Sequence, residues 1–355
     1  MKTILMTGGG TAGHVTPNIA LFPQLKQSGY QILYVGSYKG IERELIKTER
    51  IPYYAVSSGK LRRYLDLQNV TDAFRVVRGL FDAVALVGKL KPDVIFSKGG
   101  FVAVPVVIAG RLRGVPVVLH ESDMTPGLAN RLCLPFARQV CVTFPETAAH
   151  VGAKAVCTGT PIRRQLFQGR REKGLALCGF TERKPVILVM GGSLGAQKIN
   201  QVVRKALPGL AKSYQIIHIC GRGNVDDALT QQGYKQFEYV SAPLPDLFAA
   251  AALVVSRAGA NSICEFLALA KPNLLIPLSK AASRGDQILN AESFAKRGYS
   301  KVLYEEELTE EALTAGIIDL YNERERYVAA MKADNQNDAV DQILRVIDRC
   351  ANGLS

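Results

Sequence analysis

The sequence lacks the features that several classes of protein require. No apolar run approaches the ~20 residues of a membrane-spanning helix. The chain passes directly into a predicted strand, Thr3 to Met6, so we expect no signal peptide. The seven cysteines are odd in number, scattered and never in a CxxC pair. We therefore expect buried thiols in a reducing cytoplasm, and neither a disulfide framework nor a zinc site.

Signatures of common nucleotide enzymes are also missing. The glycine turn after the first strand, residues 8–14 (GGGTAGH), is followed by a second strand, Gln31 to Val35, that ends in Gly36-Ser37. An NAD enzyme would place an acidic residue there for the ribose, so this class is disfavoured. The lysine and spacing of a P-loop are absent as well. No acidic DxD cluster is present, so we expect no required cofactor or metal, with a loosely bound magnesium ion (Mg2+) as the alternative.

Positive charge is unevenly distributed along the chain. The net charge is +13, and residues 1–160 contain 19 Lys and Arg against 10 Asp and Glu. A basic first half indicates an anionic partner, which is a membrane surface, a phosphorylated substrate or a nucleic acid. Aromatic residues interleaved with basic ones, as in nucleic-acid modules, are not evident. We therefore rank a membrane or a phosphate above nucleic acid.

Two stretches of the chain share one design. The first strand, its glycine turn and a helix from about Pro17 to Gln27 are followed much later by strand Val186 to Met190, a second glycine turn and another helix. Proline suits the first turn of a helix, hence the start at Pro17. The pattern predicts two α/β domains, residues 1–160 and 161–355, with the C-terminal helix as a candidate to pack back on the first. The acidic run 305–311 is interpreted as a solvated face.

In the first half, glycine or polar residues follow three predicted strands. They are the turn 8–14, Ser97-Lys98-Gly99-Gly100-Phe101 and His120-Glu121-Ser122-Asp123. Open parallel sheets bind ligands beyond the carboxyl ends of their strands, so we expect one site to collect all three. His14 lies at the tip of the first turn, and its ordinary pKa suits acid or base chemistry near neutrality. The alternative is that His14 only caps the loop.

In the second half, the richest stretch runs from Ser256 to Ala291. Small residues in the turn Arg257–Ala260 precede a helix predicted over Ser262 to Ala270. Such a turn lets a ligand approach the backbone, and the positive end of the helix suits a phosphate. Glu265 can accept two sugar hydroxyls, and Gly285-Asp286-Gln287 offers further polar groups. An ordinary capped βα unit is the alternative.

A basic amphipathic stretch lies between residues 59 and 91. Apolar residues recur there at helical spacing, from Val70 to Val84, among lysines and arginines that include Arg75 and Arg78. Such a helix can lie on an anionic bilayer. The alternative is a stripe that faces the core of the domain.

Seven stretches, in order, resemble the motif set of one family. They are GGGTAGHVTP (8–17), SKGGFVAVP (97–105), HESDMTPGLANR (120–131), TGTPIR (158–163), GGSLGA (191–196), SRAGANSICE (256–265) and DQILNA (286–291). The set is similar to that of the MurG family, bacterial UDP-N-acetylglucosamine:lipid I N-acetylglucosaminyltransferases that make lipid II for peptidoglycan. The resemblance implies two Rossmann-like domains facing across a cleft, the B-type glycosyltransferase fold. The first would take the acceptor and associate with the membrane, and the second would bind the UDP-sugar.

The resemblance also implies the reaction and its residues. N-acetylglucosamine would move from UDP-N-acetylglucosamine to the C4 hydroxyl of the muramoyl sugar of lipid I, with inversion, on the cytoplasmic face of the cell membrane. The implied partners are these two substrates and an anionic membrane surface, without nucleic acid. His14 is the first candidate for the base, followed by Asp123 and Glu121. The implied substrate contacts are Thr11, Ala12, Gly13, Arg163, Ser193, Ser241, Ala260, Asn261, Ser262, Glu265 and Gln287.

Three positions depart from the family pattern, and other functions stay open. Ala12 stands where glycine is usual, Leu194 replaces a polar residue, and Asp123 replaces an asparagine near the sugar. A nucleotide-sugar 2-epimerase or a natural-product glycosyltransferase would share the architecture. A non-catalytic, membrane-bound UDP-sugar sensor and an NAD oxidoreductase are the remaining alternatives.

Overall fold

The chain folds into two α/β units. The computed structural model describes residues 1–58, 68–192, 195–280, 285–334 and 338–354, with only the backbone of residues 68–76. Unit 1 contains Met1–Arg163 and a C-terminal helix, and unit 2 begins at Arg164. All strand pairs are parallel, which confirms the predicted fold class. In the described ranges, no helix is long and apolar enough to cross a membrane.

Unit 1 is built on a parallel sheet. Its strands are β1 (Lys2–Thr7), β2 (Tyr30–Ser37), β3 (Tyr53–Val56), β4 (Val94–Ser97), β5 (Val117–Glu121), β6 (Gln139–Val142) and β7 (Ala155–Cys157). Its helices are α1 (Ala12–Gln27), α2 (Ile41–Thr48), α3 (Gln68–Leu90), α4 (Ala103–Leu112), α5 (Leu128–Cys133) and α6 (Ala148–Val151). The strand order is β3-β2-β1-β4-β5-β6-β7, so it reverses between β1 and β4.

Alternate residues of the central strands of unit 1 enter two different cores. Ile4 and Met6 pack on one face of the sheet, and Leu5 packs on the other. Because helices cover both faces, these strands are apolar on both sides, as expected for a buried parallel sheet. All seven cysteines of the chain are free thiols and, apart from the exposed Cys157, all are buried.

Unit 2 repeats this architecture with a smaller sheet. Its strands are β8 (Val186–Met190), β9 (Gln215–Ile219), β10 (Tyr234–Phe237), β11 (Leu253–Ser256), β12 (Asn273–Leu275) and β13 (Ser300–Val302). Its helices are α7 (Arg171–Cys178), α8 (Gln197–Leu210), α9 (Leu244–Ala250), α10 (Ala260–Ala268), α11 (Asp286–Lys296), α12 (Glu310–Asn322) and α13 (Arg324–Ala333). The order β10-β9-β8-β11-β12-β13 reverses between β8 and β11.

The last helix, α14 (Ala339–Ala351), packs on unit 1. Its Ile343 and Ile347 lie in the same core as Ile4 and Met6 of β1. The predicted second domain, residues 161–355, is therefore wrong in containing this helix. The sequence had marked the helix as a candidate to pack back on the first domain. The physical reason is its amphipathic pattern, since its apolar face covers one face of the first sheet.

The predicted starts of two helices are wrong. Helix α1 begins at Ala12, so Pro17 lies inside it and not in its first turn. The glycine turn is the cause, because Gly10 adopts φ +84° and the chain enters the helix directly after it. Helix α10 begins at Ala260, two residues before the predicted start.

Candidate active site

The two glycine turns of unit 1 lie against each other where the strand order reverses. The first follows β1 and the second follows β4, and the Gly9 N–H donates to the Gly99 carbonyl over 3.4 Å. Gly100 adopts φ +85°, and a Cβ there would collide with the Gly9 carbonyl oxygen, so only glycine fits. Such a reversal is where open parallel sheets bind their ligands. Unit 1 therefore presents backbone N–H and C=O groups, with little side-chain bulk, at its expected binding edge.

A buried carboxylate holds the first glycine turn. Glu42 of α2 is fully buried and accepts hydrogen bonds from the Gly10 N–H (3.1 Å) and from the N–H (2.9 Å) and hydroxyl (2.6 Å) of Ser37. Burial alone would raise the pKa of Glu42, but these hydrogen bonds outweigh it and lower the pKa below its usual value. From the other side, the Tyr34 hydroxyl donates to the Gly8 carbonyl over 2.7 Å. The role of Glu42 was not predicted, because in the sequence it looks like any other charge of a polar helix.

His14 lies on the first turn of α1 with a defined tautomer. Its Nδ1 is 2.9 Å from the Gly9 carbonyl oxygen, which can only accept, so Nδ1 carries the proton. Burial chiefly lowers the pKa of His14, and the charge of Lys98 adds to this, while the Gly9 hydrogen bond, Asp123 and Glu42 act in the opposite direction. The net effect lowers the pKa of His14 below its usual value, which favours the neutral ring. The lone pair of Nε2 can then accept a proton.

The two acidic candidates have different surroundings. Glu121 is buried, and its carboxylate accepts from the Asp123 N–H (3.0 Å), the Gly127 N–H (3.0 Å) and the Asn130 side-chain amide (2.9 Å). These bonds hold the loop between β5 and α5. Asp123 is only partly buried, and the Thr147 hydroxyl donates to its carbonyl over 3.2 Å. Of the two, the Asp123 carboxylate is therefore the more accessible to a substrate.

A buried lysine–histidine pair lies beneath the second glycine turn. Lys98 is 2% exposed and His120 is fully buried, with Lys98 Nζ 2.6 Å from His120 Nδ1. The Lys98 ammonium also donates to the Ser122 hydroxyl. Burial and the charge of Lys98 lower the pKa of His120 well below its usual value. This pair was not predicted, although a lysine directly after a buried strand was an available indication.

Unit 2 has its own turns at the point where its strand order reverses. Gly191 and Gly192 follow β8, and Arg257-Ala258-Gly259 follows β11. Gly259 is the N-cap of α10 and supplies no capping side chain, so the N-terminal backbone of this helix can face an anion. The predicted contacts Ala260, Asn261 and Ser262 form that first turn, and the partly buried Glu265 follows within the helix. The predicted contact Ser193 and its neighbour Leu194 lie outside the described residues.

Glu305 joins three segments around these turns. Its carboxylate forms an ion pair with Arg257 and accepts from the Ser279 N–H over 3.2 Å, and its carbonyl accepts from Lys198 of α8. Burial would raise the pKa of Glu305, but the Arg257 hydrogen bond and the other contacts lower it. The side chain is only 12% exposed, so interpreting the acidic run 305–311 as a solvated face is wrong at this residue. Glu305 acts through its contact with Arg257, which lies 48 residues away in the chain.

The remaining predicted contacts lie on different segments. Gln287 of α11 accepts from the Leu278 N–H over 3.1 Å, which leaves its amide N–H groups to donate. Ser241 is exposed before α9 and its carbonyl accepts from the Leu244 N–H over 3.2 Å. Arg163 is partly buried and is the last residue of unit 1 before the chain enters unit 2. Among the described residues, no group of three or more His, Cys, Asp and Glu side chains forms a metal site.

Helix α3 carries the part of the basic amphipathic stretch that can be described. Residues 59–67 and the side chain of Arg75 lie outside the described residues. Ala83 and Val87 are buried, whereas Val77 is 55% and Phe81 71% exposed. Arg78 is exposed beside them. The helix thus faces the core along one stripe and presents apolar and basic side chains to solvent along another.

Comparison with known proteins assigns both units to one family. Residues 4–142 match the N-terminal domain of glycosyltransferase family 28, and residues 186–346 match its C-terminal domain. A Lachnoclostridium phytofermentans protein named UDP-N-acetylglucosamine–N-acetylmuramyl-(pentapeptide) pyrophosphoryl-undecaprenol N-acetylglucosamine transferase is 59% identical, over 98% of this chain and 99% of that protein. A Bacillus anthracis protein named as a second such transferase is 57% identical over the same shares. The crystal structure of Acinetobacter baumannii MurG aligns with a TM-score of 0.78 and 26% identity, over 98% of this chain and 100% of that one.

The chain belongs to the MurG family of glycosyltransferase family 28. The resemblance seen in the seven motifs is therefore confirmed. A Neisseria meningitidis UDP-GlcNAc 2-epimerase, 13% identical with a TM-score of 0.69 over 98% of this chain and 100% of that one, shares the fold alone. In this MurG-family chain, the candidate base and the acidic candidates lie in unit 1, and the described contacts from Ser241 to Gln287 lie in unit 2. Their individual roles stay predictions.

Proposed function

We propose that this protein transfers N-acetylglucosamine from UDP-N-acetylglucosamine to the C4 hydroxyl of the muramoyl sugar of lipid I, forming lipid II. The observation that carries the proposal is the hydrogen bond of His14 Nδ1 to the Gly9 carbonyl, which leaves Nε2 to accept a proton at the expected binding edge of unit 1. The names of relatives at 56–59% identity support the donor and the lipid-linked acceptor.

The chemical step is one displacement at the anomeric carbon. The acceptor C4 oxygen forms a bond to this carbon, the bond to the diphosphate breaks, and UDP leaves with the electron pair, so the anomeric centre inverts. His14 Nε2 takes the proton of the C4 hydroxyl. The N-terminal backbone of α10 stabilises the charge that develops on the diphosphate. Asp123 is the second candidate for the base, and Glu121 ranks third because its carboxylate holds the loop.

The donor contacts divide between sugar, ribose and base. We assign the ribose hydroxyls to Glu265 and the N-acetylglucosamine to the amide of Gln287. The backbone near Ser241 would contact the uracil. The other proposed donor and site contacts are Thr11, Ala12, Gly13, Arg163, Ser193, Ala260, Asn261 and Ser262. A loosely bound Mg2+ stays an alternative source of charge for the diphosphate.

We also propose that the protein works at the cytoplasmic face of the cell membrane. The exposed Val77 and Phe81 on α3, next to the exposed Arg78, support contact with an anionic bilayer. The excess of basic residues in the first 160 supports the same interpretation.

The test is UDP release from UDP-N-acetylglucosamine in the presence of a water-soluble lipid I analogue. We expect acceptor-dependent UDP release and a disaccharide product with a β linkage. An epimerase would instead change the donor sugar without any acceptor, and a sensor would bind the donor and release no UDP. Either result would overturn the proposal. A reaction without the acceptor analogue serves as the control for background hydrolysis.

A further inference from the structure

The proposed reaction assigns no role to the buried ammonium of Lys98. It lies directly after β4, with 2% of the residue exposed, and contacts His120 Nδ1 at 2.6 Å and the Ser122 hydroxyl. A buried lysine charge is costly unless polar groups surround it. His120 is the last residue but one of β5, and Ser122 follows this strand directly. Lys98 thus joins the ends of two neighbouring strands.

The hydrogen bonds of His120 determine where this positive charge resides. His120 Nε2 lies 2.9 Å from the Gly159 carbonyl oxygen, so Nε2 carries the ring proton and Nδ1 can only accept. The donor to Nδ1 is then the Lys98 ammonium. A proton on both ring nitrogens would leave no acceptor for Lys98. The contacts are those expected of a lysine ammonium beside a neutral imidazole.

The same lysine lies beside the turn that carries His14. A Cβ added at Gly8 would be 3.2 Å from the Lys98 Cβ, and the Gly9 and Gly99 backbones are hydrogen-bonded. His14 itself bonds to the Gly9 carbonyl over 2.9 Å. The charged groups that act on His14 are Lys98 after β4, Asp123 after β5 and Glu42 on α2. Lys98 is the cation among these three, and its charge favours the unprotonated ring.

We propose that Lys98 is a positioning residue of the transferase. Its ammonium holds the His120–Asp123 segment against the second glycine turn and, through its charge, keeps His14 ready to accept the acceptor's proton. The proposal rests on the proposed function for its kinetic consequences only. The electrostatic part concerns this chain alone and can be measured without substrate.

The first experiment is an NMR pH titration of the four histidines of the full chain. His14 is assigned by the signal missing in His14→Asn. In the wild-type protein, we expect His14 to titrate below its ordinary value and His120 to stay neutral across the range. In Lys98→Gln, which keeps an N–H donor for His120 but removes the charge, we expect the pKa of His14 to rise. Lys26→Gln, an exposed lysine of the same unit, is the matched control and should change nothing.

The second experiment is the pH profile of kcat/KM with a soluble lipid I analogue. A base must be unprotonated, so a higher pKa of His14 moves the acidic limb of the profile to higher pH. On that limb, we expect Lys98→Gln to lose about three- to tenfold in kcat/KM relative to wild type, beyond any loss at pH 8. The KM for the donor should change little. Lys98→Met also removes the donor to His120. It should show the same shift of the acidic limb to higher pH, with an additional loss of stability.

Three results would overturn the proposal. One is a wild-type His14 that titrates at or above its ordinary value, which needs no Lys98 variant to fold. Another is an unchanged pKa of His14 in Lys98→Gln. The third is an equal loss of activity at every pH, which would make Lys98 a purely structural residue. Failure of the proposed function is distinct, because it would appear as absent UDP release in the wild-type protein while the NMR result stands.

Discussion

Replacing Glu42 tests how firmly the first glycine turn of unit 1 is held. Its carboxylate accepts three hydrogen bonds, from the N–H and hydroxyl of Ser37 and from the N–H of Gly10, and is fully buried. Hydrogen bonds to a charged group contribute about 1.5–3 kcal/mol each and are not additive, so Glu42→Ala should cost about 3–5 kcal/mol. Glu42→Gln has nearly the same shape and keeps one acceptor oxygen, so about 1–3 kcal/mol is expected.

The stabilisation by the Glu42 carboxylate should depend on pH in a defined direction. The pKa of Glu42 in the folded chain lies below 4.5, its value without these contacts. The charged carboxylate therefore stabilises the fold fully above pH 4.5, and this contribution is lost as the pH falls through the folded pKa. The difference in unfolding free energy between wild type and Glu42→Gln should shrink over that acidic range and stay constant above it.

The assay has to report on unit 1 by itself. The chain has two units, so one unfolding curve for the whole chain is not a two-state measurement. It also contains no tryptophan whose fluorescence could report on one unit. Amide hydrogen exchange at Gly10 and Ser37 reads the opening free energy at the contact itself. Glu44→Ala, an exposed acidic residue on the same helix, is the control. Equal exchange at both amides in wild type and Glu42→Ala would refute the reasoning.

Four further predictions follow from the sites. His14→Ala and His14→Asn should each lower kcat by about 10²–10⁴ with little change in donor affinity; near-normal turnover in His14→Asn would contradict the base role. Glu265→Ala should weaken UDP-N-acetylglucosamine binding about tenfold or more in calorimetry, and an unchanged affinity would remove it from the ribose. Glu305→Gln should raise the donor KM about fivefold or more with kcat nearly constant, since a charge-assisted bond is lost; Asp319→Asn, in a surface pair with Lys301, is its control and should match wild type. Arg78→Glu should reduce binding to anionic vesicles, in a salt-dependent way, while activity on a soluble acceptor persists; equal binding of the wild type to neutral vesicles would count against the membrane surface.

The sequence predicts the parts of the fold that depend on local chemistry. Strands β1 and β8 are apolar runs ended by glycines, and the structure has both as strands followed by a turn and a helix. Because both sheets are parallel, the sequence pattern is sufficient to place each such strand end at a binding edge. The glycine turns and His14 could therefore be placed at this edge from sequence pattern alone, and the start of α10 to within two residues.

Other residues act through contacts that no local pattern contains. Glu42 and Glu305 both lie in polar, acidic stretches, where solvated surface residues look the same. Glu305 gains its role from Arg257, and Lys98 from His120, across 48 and 22 positions of the chain. The start of α1 was missed for a different reason. The conformation of Gly10, and not the preference of Pro17 for a first turn, determines where the helix begins.

The return of α14 to the first sheet means that unit 2 is an insertion within unit 1. A ribosome releases the residues of unit 2 before it releases α14, so the unit that begins first is completed last. Until then, the core around Ile4 and Met6 lacks the cover of Ile343 and Ile347 and stays open to water or to a chaperone. Residues 164–334 can be expressed as one continuous segment. Unit 1 requires instead a linker from residue 163 to residue 338, or a separate peptide of residues 338–354 that binds in trans.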